Sequence, residues 1–338
     1  MTKPTVFVPH TIPDKALHRL HATCEVIYRD LRSEPTQTEL ADGLRGAKGM
    51  VCYGKISVRE SLLEAAPQLE VVSNIAVGFD NFDLAAMQAH WVSGTNTPGV
   101  LTETTADLAF ALLMAAARRI PEADAYVKSG QWQKWVPDLM VGSDVYGKTI
   151  GIVGMGRIGE AVARRALGFG MTIVYHNRRR QPNAELALGA VYRASLEELL
   201  GESDFVVLLT PLTKHTFHLI GEDELCRMKR NAWIINVARG AVLDESALMK
   251  ALDGGWIAGA GLDVYEEEPL PANHPLLSRP NVVMLPHIGS ATVATRENMA
   301  LTAVDNIIAY FSGRRPPNLV NPDVWERRFG QSAERMKE

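Results

Sequence analysis

Three side chains suited to acid–base chemistry follow three apolar segments in the second half of the chain. Arg239 comes after "WIINVA", Glu268 lies in "LDVYEEEP", and His287 comes after "VVMLP". Arginine supplies a fixed, forked cation, and histidine ordinarily exchanges a proton near neutral pH. A carboxylate beside the histidine would favour its imidazolium form. The set suits reduction of a 2-oxo acid, which needs a cation for the carboxylate and carbonyl, a proton donor and a hydride.

A glycine-rich segment offers a place for the hydride carrier. In "TIGIVGMGRIGEAVARRA", Gly154, Gly156 and Gly159 follow an apolar run and open an alanine-rich one. This strand–turn–helix context is the one that the dinucleotide-binding fingerprint requires. The free N–H groups at the start of the helix would then meet the pyrophosphate. A purely structural glycine turn is the alternative.

The segment "IVYHNRRRQP" bears on which dinucleotide binds. Asn177 lies 18 residues after Gly159, near the position where an Asp or Glu would hold the adenosine ribose. An uncharged Asn177 would not repel a 2′-phosphate, and Arg178 and Arg179 can bind one by charge-assisted hydrogen bonds. We therefore expect NADP(H) to be preferred, with NAD(H) used less efficiently. The alternative is a solvated arginine cluster at a strand end.

Parallel sheets would bring these residues together, because ligands of such folds gather at the carboxyl ends of the strands. Five short apolar runs between 5 and 96, separated by amphipathic segments, predict one α/β domain, and six runs between 148 and 286 predict another. The expected fold is α/β with two doubly wound parallel sheets. Residues 100–287 would form a Rossmann dinucleotide-binding domain, and 1–99 with 288–338 a smaller, flavodoxin-like substrate domain.

Long helices are predicted at 102–120, between the two series of strands, and at 290–313, after the last strand. The second sheet is complete before the latter helix begins. We therefore expect that helix to return to the first domain, which makes this domain discontinuous. The polar tail beyond it is expected to be loosely held.

Composition excludes several classes of protein. At 338 residues the chain has room for two cores, and 46% hydrophobic with 22% charged residues is typical of globular proteins. A formal charge of −4 argues against a nucleic-acid binder. The longest apolar stretch, 108–117, falls short of the ~20 residues that span a bilayer. Cys24, Cys52 and Cys226, expected in apolar surroundings, form no metal or disulfide pattern. A cytoplasmic protein without metal, nucleic-acid or membrane partners is expected.

Six motifs together resemble the D-isomer-specific 2-hydroxyacid dehydrogenase family, and within it the glyoxylate/hydroxypyruvate reductases, a group that includes 2-ketogluconate reductases. They are "VGFDNFD", "TPGVLTETTADLAFALL", "VYGKTIGIVGMGRIG", "INVARGAVLDESAL", "GLDVYEEEP" and "LPHIGSAT". The resemblance runs from about residue 5 to residue 320. It implies that Arg239, Glu268 and His287 are the catalytic residues.

The resemblance also implies binding positions. The backbone at Val77 and Gly78 would receive the substrate carboxylate together with Arg239, and Tyr53 and Gly54 would shape the pocket. Besides the glycines and the Asn177 segment, it assigns these positions to the cofactor: Thr105, Arg157, Ile158, Thr210, Pro211, Val237, Ala238, Asp263, His287 and Gly289.

Members of the family are typically homodimers joined through the dinucleotide domains. The loop with Trp132 and Trp135 matches an arm that leans toward the partner's active site, with ordinary interface packing as the alternative. Many members have Asp where this chain has Asn177, so the departure puts NAD use in doubt. Phosphite and D-lactate-type dehydrogenases share the scaffold and stay open. Nucleotide-sensing corepressors are an alternative of another class, against which the complete catalytic set argues.

Overall fold

The structure is a computed structural model that describes residues 2–29 and 35–335. The chain divides into two compact units. One, here called the terminal unit, consists of Met1–Leu101 and Ala291–Glu338, and the other, the central unit, is Thr102–Ser290. The terminal unit is thus built from an N-terminal and a C-terminal segment of the chain. The two crossings between the units were expected at 99–100 and 287–288, and the chain divides at 101–102 and 290–291.

The strands of the described residues are β1 (Thr5–Val8), β2 (Glu25–Tyr28), β3 (Gly49–Cys52), β4 (Val71–Asn74), β5 (Ser93–Thr95), β6 (Thr149–Val153), β7 (Thr172–His176), β8 (Val191–Tyr192), β9 (Phe205–Leu208), β10 (Trp233–Asn236), β11 (Gly259–Leu262) and β12 (Val282–Met284). The α-helices of the same residues are α1 (Asp14–Thr23), α2 (Gln37–Leu44), α3 (Glu60–Ala65), α4 (Leu84–Ala89), α5 (Thr102–Ala117), α6 (Ile120–Lys128), α7 (Arg157–Gly168), α8 (Pro182–Leu188), α9 (Leu196–Glu202), α10 (Glu222–Arg227), α11 (Glu245–Asp253), α12 (Val293–Phe311) and α13 (Pro322–Arg335).

Each unit is built on one parallel sheet. In the terminal unit the described strands lie in the order β2-β1-β3-β4-β5, which is the flavodoxin-like order. In the central unit the order is β12-β11-β10-β9-β6-β7-β8. Counted from β6, this is the Rossmann order, 3-2-1-4-5-6, with one strand added at the far edge. The predicted fold class of two doubly wound parallel sheets is confirmed.

Apolar residues bury both faces of the central strands, as helix-covered parallel sheets require. All four residues of β9, β10 and β11 are buried, and so are those of β3 and β4. Because the strands of each sheet are parallel, their last residues all lie at the same edge, the carboxyl edge of that sheet. The loops that follow β4, β6, β7, β10, β11 and β12 carry most of the candidate site residues.

The expected helix over 102–120 is divided into two helices. α5 ends at Ala117, and Arg119 has a φ of 54°, in the left-handed region. Such a residue cannot continue a right-handed helix. α6 then begins at Ile120, with Pro121 in its first turn, where the missing N–H costs nothing.

The expectation of a loosely held tail is wrong for most of its described length. The side chain of Asn321 accepts a hydrogen bond from the N–H of Gly94 (2.7 Å) and donates one to the carbonyl of Val92 (2.9 Å). Val324 and Trp325 are buried. The start of α13 is therefore fastened beside β5.

The three cysteines differ in their exposure. All three are free, with Cys24 and Cys52 buried. Cys226 is exposed on α10, so the expectation of apolar surroundings is wrong for this residue. Among the helices that the structure describes, none combines the length and apolar content needed to cross a membrane.

Candidate active site

His287 and Glu268 form a hydrogen-bonded pair in the central unit. The Nδ1 atom of His287 lies 2.7 Å from Oε2 of Glu268. His287 has a φ of 55°, and 44% of its side chain is exposed, against 18% for Glu268. A carboxylate on Nδ1 fixes the plane of the ring and leaves Nε2 for a reacting group. The pair has the arrangement of a proton donor with its orienting base.

A buried carboxylate holds the turn that carries His287. Asp263, directly after β11, accepts hydrogen bonds from the N–H groups of Ile288 (2.7 Å) and Gly289 (2.8 Å). Burial raises the pKa of Asp263, although these N–H groups oppose the rise. A Cβ atom at Gly289 would lie 3.2 Å from Asp263 and 3.5 Å from Thr105. Thr105, Asp263 and Gly289, three of the expected cofactor positions, therefore lie together.

Arg239 follows β10 in a turn shaped by a buried amide. The side chain of Asn236 accepts from the N–H of Ala238 (3.1 Å) and donates to the carbonyl of Arg239 (3.0 Å). A Cβ atom at Gly240 would lie 1.8 Å from the carbonyl carbon of Tyr265. Only glycine allows this approach, and it brings the Arg239 turn against the loop that carries Glu268.

The three glycines of the glycine-rich loop differ in what surrounds them. Gly154 has a φ of 106°, and a Cβ atom there would lie 2.9 Å from the nitrogen of Thr210. At Gly159 a Cβ atom would lie 2.5 Å from the carbonyl oxygen of Gly154, so the helix packs directly on the strand. At Gly156 a Cβ atom would meet nothing within 4 Å. The loop is thus crowded at its ends and open at its middle.

This geometry fits a dinucleotide. No side chain caps α7 at Gly156, and the N–H groups of Arg157 and Ile158 have no acceptor among the described residues. Unoccupied N–H groups at the start of a helix favour an anion. The hydroxyl oxygen of Thr210 is buried and has no hydrogen-bond partner among the residues described. Pro211 beside it is exposed, Val237 is buried and Ala238 is half-buried. These positions would line the bound group.

Asn177 is bonded to the glycine-rich loop through both atoms of its amide. Its Oδ1 accepts from the N–H of Met155 (2.7 Å), and its Nδ2 donates to the carbonyl of Met155 (3.0 Å). The end of β7 is thereby joined to the middle of the loop after β6. An aspartate would lack the N–H donor that bonds the carbonyl of Met155. This bond is a local reason for asparagine at this position.

The three arginines after Asn177 differ in their surroundings. Arg180 is bonded to Glu185 through Nε (3.0 Å) and lies 5.6 Å from the ring centroid of Tyr192. Arg178 and Arg179 are exposed, and within residues 2–29 and 35–335 no carboxylate pairs with them. Two cations are therefore available for an anion at this strand end, and the third is occupied.

In the terminal unit, the loop after β4 presents unused N–H groups. The side chain of Asn74 donates to the carbonyl of Gly78 (2.9 Å), and that of Asn96 donates to the carbonyl of Val77 (2.8 Å). In the described part of the chain, the N–H groups of Val77 and Gly78 have no acceptor. With its carbonyls held and its N–H groups unoccupied, the segment suits a carboxylate.

Tyr53 and Gly54 follow β3 in the same unit. The Tyr53 ring packs edge-on against His10 at 5.8 Å, and burial raises the pKa of its hydroxyl. A Cβ atom at Gly54 would lie 3.6 Å from the Cβ atom of Ala76. Both residues thus lie near the loop after β4.

Trp132 and Trp135 lie after α6 in the central unit and are 55% and 74% exposed. Trp132 helps to line a surface cavity of about 160 Å³ with Tyr126 and Leu139.

Three buried asparagines were missed by the sequence analysis. Asn74, Asn96 and Asn236 each lie at or just after the end of a strand. Asn74 and Asn236 bond the backbone of the loop that follows their own strand, and Asn96, after β5, bonds the loop after β4. The available signal was an asparagine closing an apolar run, as in "VVSN" and "WIIN". Buried amides must be hydrogen-bonded, so such a position predicts a side chain that shapes the next turn.

The fold and site define the class: an oxidoreductase with a Rossmann-type NAD-binding domain. Residues 110–289 match the family described as "D-isomer specific 2-hydroxyacid dehydrogenase, NAD binding domain". The chain is 50% identical to the glyoxylate reductase of Korarchaeum cryptofilum over 95% of its own length and 97% of the relative's. It belongs to the D-isomer-specific 2-hydroxyacid dehydrogenase family.

Two solved structures are also similar. A protein from Thermus thermophilus matches with a TM-score of 0.87 and 47% identity, over 94% of this chain and 99% of that one. An NADPH-dependent glyoxylate/hydroxypyruvate reductase from Sinorhizobium meliloti, in complex with NADP and malonate, matches with a TM-score of 0.84 and 37% identity, over 94% and 97%.

Proposed function

We propose that this protein is an NADP(H)-preferring reductase of small 2-oxo acids, with glyoxylate and hydroxypyruvate as the main substrates and 2-ketogluconate as a further one. The product is the D-2-hydroxy acid, or glycolate when the substrate is glyoxylate. The observation that carries the proposal is the His287–Glu268 pair at the carboxyl edge of a Rossmann sheet. The curated relative named a glyoxylate reductase supports the substrate class.

Arg239 and the loop after β4 would hold the substrate. The guanidinium of Arg239 binds the carboxylate and the carbonyl oxygen through its forked N–H groups. In the terminal unit, the N–H groups of Val77 and Gly78 would bind a substrate carboxylate, which supplies the acceptor that they lack within the described chain. Tyr53 and Gly54 limit the space for the part of the substrate that extends beyond its second carbon, and so select among 2-oxo acids.

His287 would act as the general acid. Bound nicotinamide dinucleotide supplies the hydride for the carbonyl carbon. As negative charge develops on the carbonyl oxygen, Nε2 of His287 donates its proton to it, and Arg239 stabilises the same charge. Glu268 accepts from Nδ1, which keeps the ring oriented and compensates the imidazolium. In the reverse direction the neutral imidazole accepts the proton of the hydroxy acid.

The NADP(H) preference rests on the strand end after β7. Arg178 and Arg179 would bind the 2′-phosphate, since both are exposed and without a carboxylate partner in the described residues. Asn177 contributes no opposing charge and holds the loop by its two bonds to Met155. Thr105, Arg157, Ile158, Thr210, Pro211, Val237, Ala238, Asp263 and Gly289 would complete the cofactor site.

A homodimer joined through the central unit is part of the proposal. α6 has no buried residue, and the segment around it exposes large apolar side chains: Ile120, Val127, Trp132, Trp135, Val141 and Tyr146. An apolar surface of this kind is typical of a protein interface, and a second copy of the chain would cover it. Sedimentation velocity of wild type and Trp135→Glu tests this, with a dimer and a weakened dimer expected.

A substrate panel tests the proposed function. Glyoxylate, hydroxypyruvate, 2-ketogluconate and pyruvate are each incubated with NADPH and with NADH, and phosphite with NADP and NAD. Oxidation of NADPH with the first two 2-oxo acids, with a D-hydroxy acid formed from hydroxypyruvate, is expected. Activity confined to phosphite would contradict the proposal, and so would an L-hydroxy acid product.

A further inference from the structure

Two carboxylates that the mechanism does not use hold the loop on which Glu268 lies. Glu245 is the first residue of α11, and Glu266 follows β11. Oε1 of Glu245 accepts from the N–H of Glu266 (2.8 Å), and Oε1 of Glu266 accepts from the N–H of Glu245 (3.1 Å). We call this reciprocal pair the carboxylate clamp. The clamp ties the start of α11 to the loop after β11 through two hydrogen bonds, one donated from each segment.

Histidines face both carboxylates of the clamp. His274 Nε2 lies 3.3 Å from Oε2 of Glu245, and His218 Nε2 lies 3.0 Å from Oε1 of Glu266. Asp244, which caps α11, lies 3.6 Å from the other nitrogen of His218. Glu245 is buried, and that burial raises the pKa of its carboxyl group. A buried acidic side chain of this kind needs partners, and the clamp provides them.

The clamp acts on the backbone that orients Glu268. The N–H of Tyr265 donates to Oε1 of Glu268 (3.0 Å), and its hydroxyl donates to the carbonyl of Leu285 (3.0 Å), two residues before His287. Gly240 packs directly against the backbone of Tyr265. The segment 265–266 is therefore fixed by Gly240, Leu285 and the clamp. The N–H of Tyr265 then holds Oε1 of Glu268 and leaves Oε2 for His287.

We propose that Glu245 is a positioning residue for the reaction: through the carboxylate clamp it holds Glu268 on Nδ1 of His287. The inference rests on the proposed function, in which His287 donates the proton. Among the described residues, no hydrogen bond or ion pair joins Glu245 to His287. Its removal releases the N–H of Glu266, so that the loop shifts and Glu268 orients the ring less well.

Glu245→Ala and Glu245→Gln separate positioning from charge. Glutamine keeps an oxygen for the N–H of Glu266, so Glu245→Gln should retain kcat within about twofold. Glu245→Ala should lower kcat between about tenfold and a hundredfold, less than loss of the general acid itself, with KM for NADPH unchanged. Asp244→Ala is the matched control, because it removes the cap of α11 to the N–H of Ala247 (2.9 Å) but leaves the clamp.

A second readout needs no substrate. The imidazole of His287 is titrated by ¹H–¹³C NMR, with its signal assigned from the spectrum of His287→Ala. In Glu245→Ala the titration of His287 should move toward that of Glu268→Gln, whereas in Glu245→Gln and Asp244→Ala it should follow wild type. A wild type without reductase activity would refute the proposed function, and this titration would still test the clamp.

Two outcomes would overturn the inference: a folded Glu245→Ala with wild-type kcat and wild-type titration of His287, or a Glu245→Gln as impaired as Glu245→Ala. If Glu245→Ala fails to fold, Glu266→Ala removes the other half of the clamp and is judged by the same two readouts. Unchanged kcat and titration in that variant would overturn the inference equally.

Discussion

Asn177 and Met155 exchange two hydrogen bonds, of 2.7 Å and 3.0 Å, between one side-chain amide and one backbone unit. The bonds join the strand end expected to recognise the adenosine ribose to the loop expected to hold the pyrophosphate. An amide matches both the donor and the acceptor of Met155, whereas a carboxylate matches the donor alone. The side chain of Asn177 therefore leaves this strand end without negative charge and also holds the glycine-rich loop.

Replacing Asn177 by Asp should reduce the use of NADPH. The carboxylate would repel the 2′-phosphate and place a negative oxygen against the carbonyl of Met155. We expect kcat/KM for NADPH to fall about tenfold or more, which corresponds to roughly 1.4 kcal/mol, with a smaller change for NADH. Steady-state kinetics with both cofactors measures this. An equal loss for the two cofactors would assign Asn177 a role in the loop alone.

Arg178→Ala and Arg179→Ala should weaken NADPH specifically. A hydrogen bond to a charged group contributes about 1.5–3 kcal/mol, so KM for NADPH should rise roughly 10- to 100-fold in the more important of the two variants. KM for NADH should stay near wild type. Arg180→Ala is the matched control, because Arg180 is already bonded to Glu185. A rise in KM for NADPH in Arg180→Ala alone would contradict this assignment.

His287→Ala should abolish most of the turnover while the cofactor still binds. Loss of a general acid costs about 10²- to 10⁴-fold in rate, and kcat for glyoxylate should fall in that range. The Kd of NADPH, measured by quenching of tryptophan fluorescence, should change little. A variant with near wild-type kcat would remove His287 from the mechanism.

The direction of pH dependence follows from the protonated imidazole being the donor. As pH rises, His287 loses its proton, so kcat/KM for glyoxylate should decline in alkaline solution and oxidation of glycolate should increase. In Glu268→Gln kcat should fall, because the imidazole of His287 loses the carboxylate that orients it through Nδ1. Rate profiles from about pH 6 to pH 10 test this. A flat profile in wild type would speak against His287 as the donor, and a wild-type kcat in Glu268→Gln would speak against the pair.

Thiol reagents should distinguish the three cysteines. Burial raises the pKa of Cys52 to about 12 and raises that of Cys24 as well, which keeps both as unreactive thiols at pH 8. Cys226 is exposed. One equivalent should therefore react rapidly with a disulfide reagent in the native protein, and three in denaturant. Cys226→Ser should remove the rapid phase, and its persistence would place another thiol at the surface.

The sequence predicted the elements that carry strong periodic signals. The strands around the glycine-rich loop follow from alternating apolar and amphipathic runs, and α12 lies within the helix predicted at 290–313. β8 was missed because two residues, Val191 and Tyr192, carry no detectable period. The break between α5 and α6 depends on a single left-handed residue, Arg119, whose neighbours are good helix formers.

Within the candidate site, strand ends and spacing indicated the proposed reacting groups but not the side chains that hold them. Motifs mark Arg239, Glu268 and His287, because their chemistry is unusual at such positions. Asn236 and Glu245 act by hydrogen bonds to backbone atoms that are distant until the chain folds. The carboxylate clamp in particular joins residues 21 positions apart, a relationship that neither periodicity nor spacing encodes.

The central claim, an NADP(H)-preferring reductase of 2-oxo acids, is tested most directly by one comparison. Initial rates with saturating glyoxylate are measured against the concentration of NADPH and, separately, of NADH. We predict turnover with both and a kcat/KM for NADPH at least about tenfold above that for NADH. A kcat/KM for NADH equal to or above that for NADPH would contradict the cofactor assignment, and no oxidation of either would contradict the activity itself.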